Sequence, residues 1–151
     1  MTLEAPPWDM DDKQGSLRRY AEWLHDMART TFLESGTHVQ LFFVLGNDGQ
    51  GEINPAPPGM GREELAGVLR SRIKEGGGYG MIHIAEANCR LKDNPDVKSE
   101  ALLVSMESRD GDACCWIAPI LRSDDGAALA DSVLTEGRQQ GTLTGFFGGA
   151  C

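Results

Sequence analysis

At 151 residues and 16.4 kDa the chain has the size of one domain. Folding a chain of this size buries roughly 68–70% of its accessible surface, so neither disulfides nor a structural metal is needed to hold a core. Its 40% hydrophobic and 25% charged residues exclude wholesale disorder, and its net charge of −9, from 23 acids against 14 bases, opposes binding to nucleic acid or to an anionic membrane.

Residues 1–14 are polar and acidic, carry Pro6-Pro7, and read as a flexible acidic N-terminal arm. They lack the basic, apolar and small-residue regions of a signal peptide, and no apolar run in the chain approaches membrane-spanning length. The expected location is therefore cytoplasmic. Trp8 stands out in the arm, because a tryptophan in a solvated tail generally docks, either on its own domain or on a partner subunit. One domain is expected over residues 15–147, with a frayed C-terminus at 148–151.

A first helix is predicted from Ser16 to Glu34, with Ser16 as N-cap and Gly36 supplying the left-handed stop. Leu17, Tyr20, Ala21, Leu24, Met27, Ala28 and Thr31 follow its period as the buried stripe, and Trp23 falls beside that stripe as a candidate surface anchor. A strand follows over 38–45. Phe42 and Val44 make its second face apolar beside Val39, Leu41, Phe43 and Leu45, the pattern of a strand covered on both sides. Asn47-Asp48-Gly49 turns the chain into a short strand over 51–54, which Pro55, Pro57 and Pro58 end.

The second helix is predicted from Arg62 to Glu75, on the stripe Leu65, Val68, Leu69 and Ile73. Gly76-Gly77-Gly78 follows that helix and reads as its stop; a glycine loop that cradles phosphate precedes a helix N-terminus instead. Strands are predicted at 79–89, 100–109 and 113–121, the last two joined by Asp110-Gly111-Asp112. Beyond Arg122 the periodicity weakens. Residues 129–134 fit an edge strand or a short helix, and Leu143, Phe146 and Phe147 could return as a hydrophobic clasp. The fold class is thus α+β, a mainly antiparallel sheet of about five strands with two principal helices in the order α-ββ-α-βββ.

Chemistry-bearing motifs are sparse. The chain has no Gly-x-Ser-x-Gly elbow, no Cys-x-x-Cys or His-Glu-x-x-His spacing and no calcium loop, so no catalytic residue, metal or cofactor is assigned. Cys89, Cys114, Cys115 and Cys151 read as reduced residues, since they form no secreted-protein framework and adjacent Cys114 and Cys115 point to opposite faces of a strand. A cysteine–histidine pair remains open to fold geometry. The residue to isolate is Glu86, which shares an apolar strand face with Ile82 and Ile84 and precedes Asn88 by two residues. Buried, it would need a base or a hydrogen-bond partner and could serve in a pocket; alternatively the strand emerges into solvent there. Glu100 and Glu107 are its candidate neighbours in an antiparallel pairing. His83 is a candidate pocket residue too, although on a regular strand it faces away from Glu86.

From Thr37 to Leu121 the order of features resembles a loose set of small bacterial and phage-associated α+β proteins. The stretches that carry the likeness are His38-Val39-Gln40-Leu41-Phe42-Phe43, the helix after the proline-rich loop, Ile84-Ala85-Glu86-Ala87, and Leu102 to Glu107 with the Trp116-bearing strand. The element order is also similar to that of roadblock and longin-like domains, which implies a protein-interaction platform and transfers no catalytic residue. The expected function is a non-enzymatic interaction or accessory domain that self-associates as a homodimer, with Trp8, Trp23, Phe146 and Phe147 as candidate interface residues. The alternative is a small hydrolase-like or ligand-binding protein with a pocket around Glu86, Asn88 and His83.

Overall fold

The structure is a computed structural model that describes residues 5–55, 61–91 and 94–137. It comprises α1 (Lys13–Ser35), β1 (Leu41–Gly46), β2 (Gly51–Pro55), α2 (Arg62–Gly76), β3 (Gly78–Leu91), β4 (Asn94–Ser108), β5 (Ala113–Ser123), β6 (Gly126–Leu129) and β7 (Val133–Glu136). One sheet runs in the order β2-β1-β3-β4-β5-β6, with β7 also paired to β5, and the described strand pairs are antiparallel. The class is α+β, with seven strands among the described residues where the sequence predicts about five. The weakly patterned stretch after Arg122 contains two four-residue strands, laid end to end along the long β5.

Helix α1 starts three residues before the predicted cap. Asp12, not Ser16, is the N-cap, its Oδ1 accepting from the Gly15 N–H at 3.0 Å, whereas Ser16 lies inside the helix, buried, with Asp9 N–H donating to its Oγ. Trp8 docks on its own domain. Its indole N–H donates to the Asn47 carbonyl at 2.9 Å and its ring meets Tyr79 edge-on. Gly49 makes room for it, at φ +79°, because a Cβ there would lie 2.5 Å from the indole.

Leu17, Ala21, Leu24, Ala28 and Phe32 form the buried centre of α1. Thr31, predicted buried, is exposed, and Phe32 takes the next place in the stripe because it sits four residues beyond Ala28. This helix covers one face of the sheet, over Phe43, Leu45, Ile82, Ile84, Leu102, Val104, Met106, Cys114 and Ala118. Helix α2 covers part of the other face, where Leu65, Ala66, Leu69 and Ile73 pack on Phe42 and Met81. Phe42 and Phe43 thus enter different cores, as expected of a strand covered on both sides. Gly77, at φ +64°, ends α2 by returning its N–H to the Ile73 carbonyl, so the glycine run is a helix stop.

Arg18 ties the first helix to the far end of the chain. It forks onto Asp112 through two 2.7 Å bonds and also pairs with Glu136 on β7. The Arg18 guanidinium holds the Asp112 carboxyl below its ordinary value. No described helix is long and apolar enough to cross a membrane.

Candidate functional site

Cross-strand register decides which predicted residues meet. Glu86 pairs with Leu102, on the α1 side, and Glu107 pairs with Met81, on the α2 side. Glu107 therefore cannot neighbour Glu86, and Glu100 can. Arg122 joins those two carboxylates, its Nη2 lying 3.1 Å from Glu86 Oε1 and its Nε 2.6 Å from Glu100 Oε2. The His38 backbone N–H adds a 3.3 Å bond to Glu86 Oε2. Glu86 is neither isolated in a core nor fully solvated, with its side chain 28% exposed. With Ala87, Glu100 and Arg122 it lines an open hollow of ≈ 310 Å³. The guanidinium offsets one of the two carboxylates, so the hollow keeps a net negative charge.

His83 lies on the opposite face. Its ring stacks on Phe42 at 4.4 Å and its Nε2 lies 2.9 Å from the Gln40 amide nitrogen. Ser105 lies across from His83 and Cys115 across from Ser105, one row over three strands. The imidazole stacks on Phe42 of β1, while Cys115 lies on β5, on the other side of β4. Cys114 faces α1, and burial pushes its thiol up to about 11, the reverse of a reactive cysteine. Asn88 pairs through its backbone with Glu100, while its side chain, that of Cys89, and the whole of Phe146 and Phe147 lie outside the described residues. Among the described residues no group of three or more His, Cys, Asp and Glu could hold a metal ion.

A second concavity lies along the flank of α1 that looks toward β1 and β2. This crevice of ≈ 290 Å³ is walled by Leu24, Met27, Ala28, Leu41, Phe43 and Ile84, with His38 and Val39 at its rim. Tyr20, Trp23 and Met27 recur along this flank at helical spacing, and Tyr20 and Trp23 contact edge-to-face at 5.3 Å. Val39 is 68% exposed and Ile53, on the edge strand β2, is 61% exposed. Both sit on the α1 side of the sheet, since Ile53 pairs with Phe43 and Val39 continues its alternation. Trp23, predicted beside the buried stripe, therefore stands on a flank with apolar neighbours.

The opposite flank of α1 carries a constellation that local motifs do not announce. His25 Nε2 lies 2.6 Å from Ser132 Oγ and its Nδ1 lies 3.2 Å from Asp26 Oδ1. Arg29 Nη1 donates to the same Ser132 Oγ at 3.0 Å and to the Ala130 carbonyl at 2.9 Å. Trp116 stacks on the imidazole at 5.6 Å. Burial pushes the His25 pKa below its ordinary value, so the ring is neutral at pH 7. Only the sheet brings Ser132 here. It lies two residues before Leu134, which pairs with Trp116 on the α1 side, so alternation turns Ser132 toward the helix. No family model, curated protein or solved structure matches the chain, so the likeness to roadblock and longin-like domains rests on element order alone.

Proposed function

We propose that this domain is a protein-interaction module that pairs with a second copy of itself across the flank formed by α1, β1 and β2. The observation that carries the reading is the apolar crevice there, with the exposed Val39 at its rim, and the exposed Ile53 on the same sheet face of β2, the edge strand of the described sheet. Burying that apolar surface removes it from water, and β2, at the edge of the described sheet, offers backbone groups to a second strand. A two-fold pairing satisfies both copies with one patch. A stable dimer needs about 800 Å² from each partner, and Tyr20, Trp23 and Met27 extend the patch along α1. Size-exclusion chromatography with light scattering over micromolar concentrations tests the reading. Dimer mass in the native chain and monomer mass in Val39→Glu/Ile53→Glu support it; a strict monomer throughout removes self-association.

A second reading, ligand binding at Glu86, is favoured by the hollow that Glu86, Glu100 and Arg122 line. Its residual negative charge suits a small cation such as a primary amine. Calorimetry with simple amines, repeated on Glu86→Gln, tests it, and absence of heat in the native chain counts against it.

A further inference from the structure

We propose that Ser132, His25 and Asp26 form an activated-serine site that takes an acyl group from small esters. The inference does not depend on the interaction reading: it would survive a strict monomer, and its failure would leave the dimer untouched.

Two groups converge on one hydroxyl. His25 Nε2 is 2.6 Å from Ser132 Oγ and Arg29 Nη1 is 3.0 Å from it. Arginine can only donate, so the serine oxygen accepts from Arg29 and its own proton is free to go to the imidazole. Asp26, 3.2 Å from Nδ1, accepts the ring's other N–H and selects the tautomer with a free lone pair on Nε2. That is the arrangement in which histidine removes a serine proton. Trp116 fixes the plane of the ring from the sheet side. The charges that bear on the imidazole are Asp26, Glu22 and Arg29 of the helix, while Ser132 and Trp116 face it from the strands.

Loop anchoring is the competing role. Arg29 already performs it by holding the Ala130 carbonyl at 2.9 Å, so anchoring does not require the shortest contact to run from the hydroxyl to an imidazole. The serine also sits at the surface end of β7, half-buried, where a small ester can approach.

In the reaction, Ser132 Oγ attacks the ester carbonyl carbon and forms a C–O bond while Nε2 takes the hydroxyl proton. Arg29 opposes the charge that develops on the oxygens. Collapse breaks the bond to the alkoxy group, which leaves as the alcohol with the proton from Nε2. Water, deprotonated by the same nitrogen, then releases the acid, so ester and water become acid and alcohol.

The test treats the full chain with a fluorophosphonate probe, which forms a phosphonyl ester on an activated serine with loss of fluoride, and with p-nitrophenyl acetate. Intact mass and peptide mapping are expected to place one adduct on Ser132, absent in Ser132→Ala. Removal of a general base lowers the rate roughly a hundredfold or more, so His25→Gln should label at least that much more slowly. Should His25→Gln not fold, the exposed Asp26→Asn carries the test and should label severalfold more slowly. Labelling should also rise with pH below about 6.5 as the imidazole loses its proton. No adduct on Ser132, or an adduct formed at the native rate in His25→Gln or Asp26→Asn, overturns the proposal.

Discussion

Gly80 lies on β3 directly under α1, and a methyl group there has nowhere to go. Its Cβ would stand 2.6 and 2.7 Å from the two δ-carbons of Leu17 and 3.2 Å from its γ-carbon. Carbon atoms are at ease at about 3.5–4.0 Å, so the overlap is close to an ångström. Leu17 is fully buried and cannot swing into solvent. Overpacking of this kind costs about 1–3 kcal/mol. Removing a glycine from a strand returns about 0.5–1 kcal/mol. Gly80→Ala should therefore destabilise by roughly 1 kcal/mol, with a Tm fall of about 2–4 °C per kcal/mol in a chain of this size. Calorimetry and urea unfolding measure it. A double-mutant cycle supplies the sharper readout. Leu17→Ala alone should cost about 2–5 kcal/mol, but in the Gly80→Ala background the added methyl fills part of the vacated space. The pair should then fall short of additivity by about 1 kcal/mol. Strict additivity, or a stabilised Gly80→Ala, would refute the reasoning, because Leu17 would have moved aside freely.

Gly49→Ala should expel Trp8, since the new Cβ would collide with the indole and φ +79° disfavours a side chain by about 1–2 kcal/mol. Tryptophan emission should shift to the red in that variant and show no such shift when Trp8→Phe is already present. His25 has a lowered pKa, so between its folded value and about 6.5 the unfolded chain binds more protons and stability rises with pH. Urea midpoints should accordingly fall as pH drops below about 6.5, and His25→Gln should flatten that segment. Arg18→Met leaves the partly buried Asp112 carboxylate without its guanidinium, a loss of about 1.5–3 kcal/mol at pH 7 by chemical denaturation. Asp112 titrates low when paired, so the stability it contributes is present above about 4 and lost as pH falls through its folded value; the variant should show less of this acid loss.

Where side-chain alternation was strong, the strands were legible. Both apolar faces of β1 placed Phe42 and Phe43 in two cores, and the turns at Asp48-Gly49 and Asp110-Gly111 lie where glycine adopts positive φ. The first six residues of β4 were not legible, because Asn94-Pro95-Asp96-Val97-Lys98-Ser99 has no continuous apolar face, and Asn94, Lys98 and Ser99 pair with Leu91, Arg90 and Cys89 of β3 through the backbone. β6 and β7 are four residues each, too short for a period to register. The cap moved from Ser16 to Asp12 because both are good caps and only the path of the arm decides between them. Glu86 could be isolated as a carboxylate on an apolar face, but Arg122, 36 residues away, could not. His25 and Ser132 are separated by 107 positions, and only the β5–β7 register joins them.

The bonds from α1 to Asp112, Ala130, Ser132 and Glu136 have a consequence for the order of synthesis. The ribosome delivers the helix first and its anchors 94 to 118 residues later. Until then Leu17, Leu24 and Phe32 have no complete sheet to lie against, at synthesis rates of about 5–20 residues per second. Several seconds of exposed apolar stripe follow for each nascent chain, an interval in which a chaperone would be expected to hold it. Moving the helix behind β7 by circular permutation should shorten that interval while preserving the final contacts.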